Sequence, residues 1–584
     1  MQPIVLQDAI KTHTADQDKR IAPEETLRRF LERARASGMD LIRETRRIDS
    51  GRLGIPVFIS RCGSDARAVI GTLKQMGKGA SPAQAEASAV MELAERFSFF
   101  SFVRNPEVFQ IGTRAAIGSS AMDFSYIARS VQDDSDDLEA GRALFEALPL
   151  RWTWATDLAR GTLVRVPFDW FFAINEFNGP SAGNCLEEAI LQGLCEVVER
   201  HVCSRVCHEK IPVRGIRPAS VRDPIVRGLL ERFRACGVEL RLSDFSLDTG
   251  IPTVGALAWD PATFPRRSEI VWTAGTTPSP VKALARALTE TAQLAGDFDT
   301  GGRYVASGLP KPAALNEVGW VVDPVEEVDL DALPELSHPN LKVEIERCLA
   351  ALGRVGLEAF VVDTTHPRLR IPACYVIVPG AHFRERSRSM SVALFAARHA
   401  ANHLEPERAL ALLDDLERRL PGKYYVSFYR GLALVRAGRS EESLSFFRQA
   451  LVRDPHPTET AGILSHFASA LKDCGRYAEA IPLLRQGVAL DAERIDLWNL
   501  LGFCHFKRSE YEEAVAAFRR AIELDPGSAI DHANLGVNLA ALGRREEAIE
   551  ALQTALALDP GIEFARNRLK ALDASPSAPG SLTA

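Results

Sequence analysis

Asn184, Glu188, Gln192, Glu196 and Glu199 follow one another at spacings of four, four, four and three residues, behind a glycine-rich turn at 179–183. At about 100° per residue these five side chains share roughly a third of a helix circumference, while Ala189, Ile190, Leu191, Leu194, Val197 and Val198 cover the other faces. Like charges four apart on a helix repel, and more strongly when the face is half buried. The stripe therefore calls for a cation. Two further stretches repeat the device at spacing 0, 4, 7: Ser88, Glu92 and Glu95, then Arg286, Glu290 and Gln293. Three such helices could converge on a divalent cation and a phosphate ligand. Oxygen ligation suits Mg²⁺, which keeps waters and bridges to phosphates, and an arginine in that company suits a phosphate clamp. The competing expectation is three solvated acidic faces.

The helices need strands and turns to aim them. After the glycines, 184–205 is one long helix. The 227–246 segment reads helix, glycine, strand; 251–260 reads as a strand; and RSEIVWTAGTTPSPVKALARALTE reads strand, glycine turn and helix, delivering Arg286. Nearer the start, 26–39 is predicted as a helix ending at Gly38, 53–61 as a buried strand, and Gly77-Lys78-Gly79 as a turn. Lys78 between glycines invites a phosphate-loop reading, but G-x-x-x-x-G-K-[ST] is absent. Further strand is predicted over 162–174, a loop-rich acidic insertion or flap over 302–345, and two closing strands in 357–381. His366 in that closing pair is a solvated loop residue or, less economically, a base. Cys203, Cys207, His201 and His208 are expected to pack in the core rather than hold a metal.

The stretches GKGASPAQAEASAVMELAERFS (77–98) and NGPSAGNCLEEAILQGLCEVVER (178–200), with Arg286 and Glu290 in ALARALTE, resemble in type and order the signatures of the YcaO family. A weaker fourth match lies in KRIAPEET, where Lys19 and Thr26 stand at the family's lysine and hydroxyl positions. The resemblance implies an α+β YcaO-type ATP-binding domain that holds ATP and Mg²⁺ without a Walker motif and phosphorylates a peptide backbone amide oxygen. It assigns nucleotide contacts to Lys19, Thr26, Ser88, Glu92, Glu95, Asn184, Glu188, Gln192, Glu196, Glu199, Arg286 and Glu290, with Glu92, Glu95, Glu196 and Glu199 as the metal carboxylates. Thr26 replaces the expected serine and keeps the hydroxyl.

From about residue 389 the chain changes to continuous helix with a 34-residue period, clearest in 495–528. Trp498, Leu501, Gly502, Ala514, Phe518, Ala521 and Pro526 fit the tetratricopeptide template, and Leu535, Gly536, Ala548, Leu552, Ala555 and Pro560 repeat it. The expected division is a YcaO domain over 1–385, a helical connector over 386–423, an all-α tetratricopeptide solenoid over 424–572 and a disordered tail over 573–584. Such solenoids dock partners, so a protein on the repeat arm is expected besides a peptide or protein substrate, and a homodimer is among the assemblies considered.

At 584 residues the chain needs several cores. A net charge of −7 excludes a broadly basic nucleic-acid surface, and no apolar run reaches membrane-span length. The start lacks a basic segment before an apolar one, and ten cysteines lack paired spacing, so a reducing cytoplasm is predicted. Azoline-forming members of the family end in a Pro-x-Pro-x-Pro carboxylate, whereas here only Pro576 and Pro579 occur before Gly-Ser-Leu-Thr-Ala. Thioamidation, or an accessory role in ribosomal-protein methylthiolation, is therefore the expected use of the activated amide. The alternatives are a non-turnover ATP-binding adaptor and an azoline-forming cyclodehydratase with an atypical terminus.

Overall fold

The computed structural model describes residues 2–175, 177–299, 304, 306, 308–383 and 390–574. The expected disordered tail, with Pro576 and Pro579, lies outside the described residues apart from 573 and 574. The chain forms two compact units. One comprises 1–134 and 146–390, the other 135–145 and 391–584. The architecture is mixed α/β in the first and all-helical in the second, as the sequence predicts.

The first unit is built on three sheets. Strands β1 (Ile42–Arg47), β2 (Val57–Cys62) and β3 (Lys74–Lys78) form an antiparallel sheet in that order. Five strands make a second sheet, with Val271–Thr276 at one edge, Thr253–Trp259 and Glu239–Asp244 next, and Glu327–Val328 at the far edge. The third sheet has Ala373–Ile377 between Phe360–Asp363 and Pro180–Ala182.

Three helices lie on these sheets. Pro82–Arg104 is capped by Ser81, whose hydroxyl accepts the Gln84 N–H at 3.3 Å, and packs on the β1–β3 sheet. The central helix, Leu186–Glu209, touches both larger sheets, and its apolar faces fill a hydrophobic core with Trp272, Ile345 and Val376. Pro280–Ala295 opens with proline in its first turn and lies on the Val271–Thr276 strand and on β3. Two glycines set the close approach of strand to helix. A Cβ on Gly77 would stand 2.1 Å from the Ala89 nitrogen, and one on Gly275 would stand 2.3 Å from the Ala283 oxygen.

Four readings need correction. Lys78 is the last residue of β3, not part of a turn. The strand expected over 53–61 begins only at Val57, because Pro56 offers no N–H for the ladder. The run 162–174 is strand only to Pro167, and Phe168–Asn175 is a helix with Phe168, Trp170, Phe171 and Ile174 buried. A continuous apolar run carries no period with which to tell the two apart. Over the described part of 302–345 the chain is not a flap. Val318, Val321, Leu330 and Leu333 are buried, and Glu327–Val328 extends the second sheet in parallel with Arg214–Ile216.

In the second unit, helices from Val392–His403 to Glu563–Ala574 follow one another, each packed on the next. The stretch expected as a connector holds Val392–His403 and Pro406–Arg419. Within the repeats, glycine on the first helix of a pair meets a large side chain on the second. A Cβ on Gly431, Gly502 or Gly536 would fall 2.8, 2.9 or 2.6 Å from Phe447, Phe518 or Leu552.

Candidate functional site

The three striped helices open onto one cleft of about 1380 Å³, including its space open to solvent. Every residue of the three stripes lines it, with the two N-terminal matches: Ser88, Glu92 and Glu95 from Pro82–Arg104; Asn184, Glu188, Gln192, Glu196 and Glu199 on and just before the central helix; Arg286, Glu290 and Gln293 from Pro280–Ala295; and Lys19 and Thr26 from the N-terminal segment. Thr26 sits on helix α1 (Pro23–Ser37), which starts three residues earlier than expected, at the proline.

Glu188 organises the N-terminal side. Its carboxylate accepts the backbone N–H of Arg20 at 3.0 Å and that of Asn184 at 3.2 Å, accepts the Asn184 side-chain amide at 3.0 Å, and lies 3.6 Å from the Lys19 ammonium. Asn184 Nδ2 also donates to Thr26 Oγ1 at 3.1 Å, and that hydroxyl donates to Ala22 O. These contacts hold the segment before α1 against the start of the central helix.

At the far end Glu199 is buried and accepts the Thr276 N–H at 3.0 Å, with Arg286 Nε at 3.5 Å and Arg200 Nη1 at 3.5 Å. Arg286 Nη1 donates to Gln192 Oε1 at 3.0 Å, so the third helix is tied to the second by both atoms of its fork. Glu196 accepts the Gly179 N–H at 3.4 Å and lies 3.9 Å from Arg200, and Lys78 pairs with Glu290.

The cation called for by the acidic stripes is thus partly internal. Lys78, Arg96 and Arg200 line the cleft beside Lys19 and Arg286, facing Glu92, Glu95, Glu188, Glu196, Glu199 and Glu290. Reading along the stripes misses them for a geometrical reason. Arg96 and Arg200 follow Glu95 and Glu199 directly, about 100° off the polar face, and only their length carries the guanidinium back. Lys78 fails a motif test yet enters from a strand, which no helix period can signal.

Burial pushes the Glu95 carboxyl up to about 8, with repulsion from Glu196 and Glu92 adding to it against the pull of Arg96. Glu92 is raised for the same first reason. Burial, helped by Arg286 and Arg200, brings the Lys78 ammonium down to about 7. Carboxyls that resist ionisation among other carboxylates suit a divalent cation. Among the described residues, no three His, Cys, Asp or Glu side chains meet closely enough to hold a metal by themselves. The donor set fits an ion bound through one or two carboxylates and phosphate oxygens, as Mg²⁺ prefers, and does not form an all-protein cage. An adjoining compartment of about 690 Å³, including open space, shares Lys19, Glu188, Gln192 and Arg286, and both apolar residues, among them Leu191, Pro278 and Leu341, and charged ones, Asp16, Asp18, Lys282 and Glu344, wall the rest. A charged chamber opening on one of mixed apolar and polar lining has room for a nucleotide.

Of the four side chains expected in the core, Cys203 and His201 are buried, whereas Cys207 is half-buried and His208 exposed near the end of the central helix, where its apolar faces run out. Cys203 is fully buried in the core, its thiol raised well above the usual range by burial, and His201 Nδ1 accepts the His382 N–H at 3.0 Å. His366 packs against Phe97 with ring centroids 5.0 Å apart and planes tilted by 50°, and its Nδ1 accepts the Arg368 and Leu369 N–H groups.

Comparison with known proteins agrees with the fold. The family model described as YcaO cyclodehydratase, ATP- and Mg²⁺-binding, matches residues 76–382. Tetratricopeptide models match 396–456, 460–495, 495–528 and 529–562. An uncharacterised protein of Methanothermobacter thermautotrophicus is 32% identical over 388 residues, covering 62% of this chain and 94% of its own. The ribosomal protein S12 methylthiotransferase accessory factor YcaO of Escherichia coli is 28% identical over 230 residues, 37% of this chain and 38% of that protein. A solved heterocyclase in complex with substrate and cofactor superposes with a TM-score of 0.53 at 21% identity, covering 65% of this chain and 55% of that one, and so shares the fold.

Proposed function

Because the chain belongs to the YcaO family of ATP- and Mg²⁺-binding proteins, we propose that it activates a peptide backbone amide by phosphorylating its oxygen. The observation that carries this reading is the convergence of three striped helices on one cleft. An amide oxygen is a poor leaving group. When it attacks the γ-phosphorus of ATP, the bond to the ADP oxygen breaks, and the amide carbon then carries a phosphate ester. A nucleophile adding to that carbon expels phosphate as the C–O bond breaks.

Phosphoryl transfer demands positioning and charge neutralisation more than covalent chemistry. Mg²⁺, when bound, neutralises phosphate oxygens; one or two of Glu92, Glu95, Glu196 and Glu199, which line the cleft, would hold it. Arg286, fixed by Gln192 and Glu199, and Lys19, beside Glu188, would clamp phosphates. Asn184 and Thr26 keep the entrance segment closed on the central helix. A sulfur nucleophile, supplied by a partner held on the repeats, would make the product a thioamide; an accessory role in methylthiolation is the other use, suggested by the Escherichia coli relative.

The test is ADP release by full-length protein incubated with Mg·ATP and a peptide digest of its own proteome. The reading predicts ADP formation that rises with the peptides, and incorporation of carbonyl ¹⁸O from labelled peptides into the released phosphate. Tight ATP binding without turnover for any peptide would make the chain an adaptor.

The cleft also predicts a proton balance. Glu95 must ionise to face a metal, so a carboxyl held near 8 releases a proton on binding at pH 7, whereas Lys78, near 7, takes up part of one beside phosphate. Calorimetry of Mg·ATP binding at pH 7 in buffers of different ionisation enthalpy should show net release, and affinity should fall as pH drops below about 7. In Glu95→Gln the release should become uptake. An unchanged proton count in that variant would remove Glu95 from the ion's surroundings.

A further inference from the structure

The compartment beside the cleft contains one group that its own surroundings leave unsatisfied. Glu344, on the helix Leu341–Arg354, lines that compartment, and its side chain is fully buried. One carboxylate oxygen, Oε1, accepts the Lys11 ammonium at 2.8 Å and the His338 backbone N–H at 3.0 Å. The other, Oε2, is buried and has no hydrogen-bond partner among the described residues. A buried acceptor with no donor carries the full cost of its lost water, so the site is incomplete without one.

The neighbouring charges are already engaged. Lys11 also donates to Asp18 at 2.8 Å, Asp16 accepts the Ser81 hydroxyl at 3.0 Å and pairs with His13, and Lys282 donates to the Thr14 and Ala15 carbonyls. These bonds fix the N-terminal segment as one wall. Among the described residues lining the compartment, Glu344 Oε2 is the one buried side-chain nitrogen or oxygen left for a ligand.

The shared residues give the ligand its direction. Lys19 and Arg286, the phosphate clamps of the reading above, border both spaces, whereas Glu92, Glu95, Glu196 and Glu199 border only the cleft. A triphosphate with its metal turned toward those carboxylates sends its nucleoside the other way, into the compartment. There Leu191, Pro278 and Leu341 offer apolar surface to the faces of a flat ring, and the free oxygen of Glu344 offers an acceptor to its edge. At position 6 adenine presents N–H donors, whereas guanine and hypoxanthine present an oxygen. An ionised carboxylate only accepts, so it bonds the first and repels the second.

We propose that Glu344 Oε2 accepts a hydrogen bond from the 6-amino group of the adenine ring and so selects ATP over 6-oxopurine nucleotides. Lys11, tied to Asp18, is the positioning residue that keeps this carboxylate charged and oriented. The proposal rests on the reading of the cleft as the triphosphate site and is independent of what is phosphorylated.

The test is calorimetric titration of full-length protein with the Mg²⁺ complexes of ATP, of purine riboside triphosphate, which has only hydrogen at position 6, and of ITP, which has oxygen there. The wild type should bind ATP at least about tenfold more tightly than ITP, with purine riboside triphosphate between them. Glu344→Gln keeps an oxygen for Lys11 and can turn an amide donor into the compartment. It should lose the preference or reverse it toward ITP, with the affinity for purine riboside triphosphate unchanged. Equal binding of ATP and ITP by the wild type, or a preference for ATP that survives in the variant, would overturn the proposal. So would an equal loss of all three ligands, which would make Glu344 a brace for the N-terminal segment. Photolabelling of the wild type with 2-azido-ATP needs no variant to fold: label at 277–278 or 341–344 is expected, and label confined to 88–96 would overturn the proposal. Mg²⁺-bound inorganic triphosphate, titrated into the same samples, reads the clamps without the base and should bind both proteins alike. If it and ATP bind but no base is preferred, only the role of Glu344 falls; if neither binds the wild type, the triphosphate site falls and the base site with it.

Discussion

Replacing Arg286 with alanine is expected to weaken Mg·ATP binding by roughly 10- to 150-fold, with little change in melting temperature. The range corresponds to the loss of about 1.5–3 kcal/mol from one hydrogen-bonded charge. The fold should tolerate the change because neither partner is stranded. Glu199 keeps the Thr276 N–H at 3.0 Å and Arg200 at 3.5 Å, and Gln192 faces the open cleft, where water can replace the guanidinium. Arg286→Lys should recover only part of the loss, since an ammonium restores the charge without the planar fork that reaches Gln192 and Glu199 together. Calorimetric titration of the three proteins is the measurement. Wild-type affinity in the alanine variant would place Arg286 off the phosphates and make its contacts a brace between helices.

The second large effect belongs to the repeats. Phe518→Ala should destabilise the second unit by about 3–5 kcal/mol, the usual cost of emptying a buried phenylalanine site. Phe518 is 2% exposed and fills the space left by the absent side chain of Gly502, so the site cannot collapse without moving two helices together. Repeat arrays depend on contacts between neighbours, so the damage should be local. Hydrogen exchange should quicken first in Ile495–Lys507 and Tyr511–Leu524, while Mg·ATP affinity stays at the wild-type value. Wild-type exchange rates throughout would contradict the packing described, and lost ATP affinity would show that the cleft depends on the repeat core.

Much of the cleft is legible in the sequence because a helix projects a fixed period onto one face. Ser88, Glu92 and Glu95 stand four and three residues apart, on one helix face before any fold is known, and the same holds for Arg286, Glu290 and Gln293. The fold class is legible for a related reason: strand, glycine and helix alternate up to 381, and a 34-residue period replaces them afterwards. What escapes depends on things a period does not encode. Lys78 arrives from a strand whose position in the cleft is set by Gly77 pressed onto the next helix. Arg96 and Arg200 reach the site by side-chain length from off the polar face. The Phe168–Asn175 helix hides in an apolar run, and the edge position of β1 follows from the order of strands in the sheet.

The central claim is that three helices form one Mg²⁺-dependent ATP site. Titration of ATP with and without Mg²⁺ on the wild type and on Glu92→Gln/Glu199→Gln tests it most directly. Glu92 comes from the first helix and Glu199 from the second, and both line the cleft. The account predicts binding that requires Mg²⁺ in the wild type and is lost in a variant that still melts cooperatively. Binding that is indifferent to Mg²⁺, or retained by the folded double variant, would contradict it.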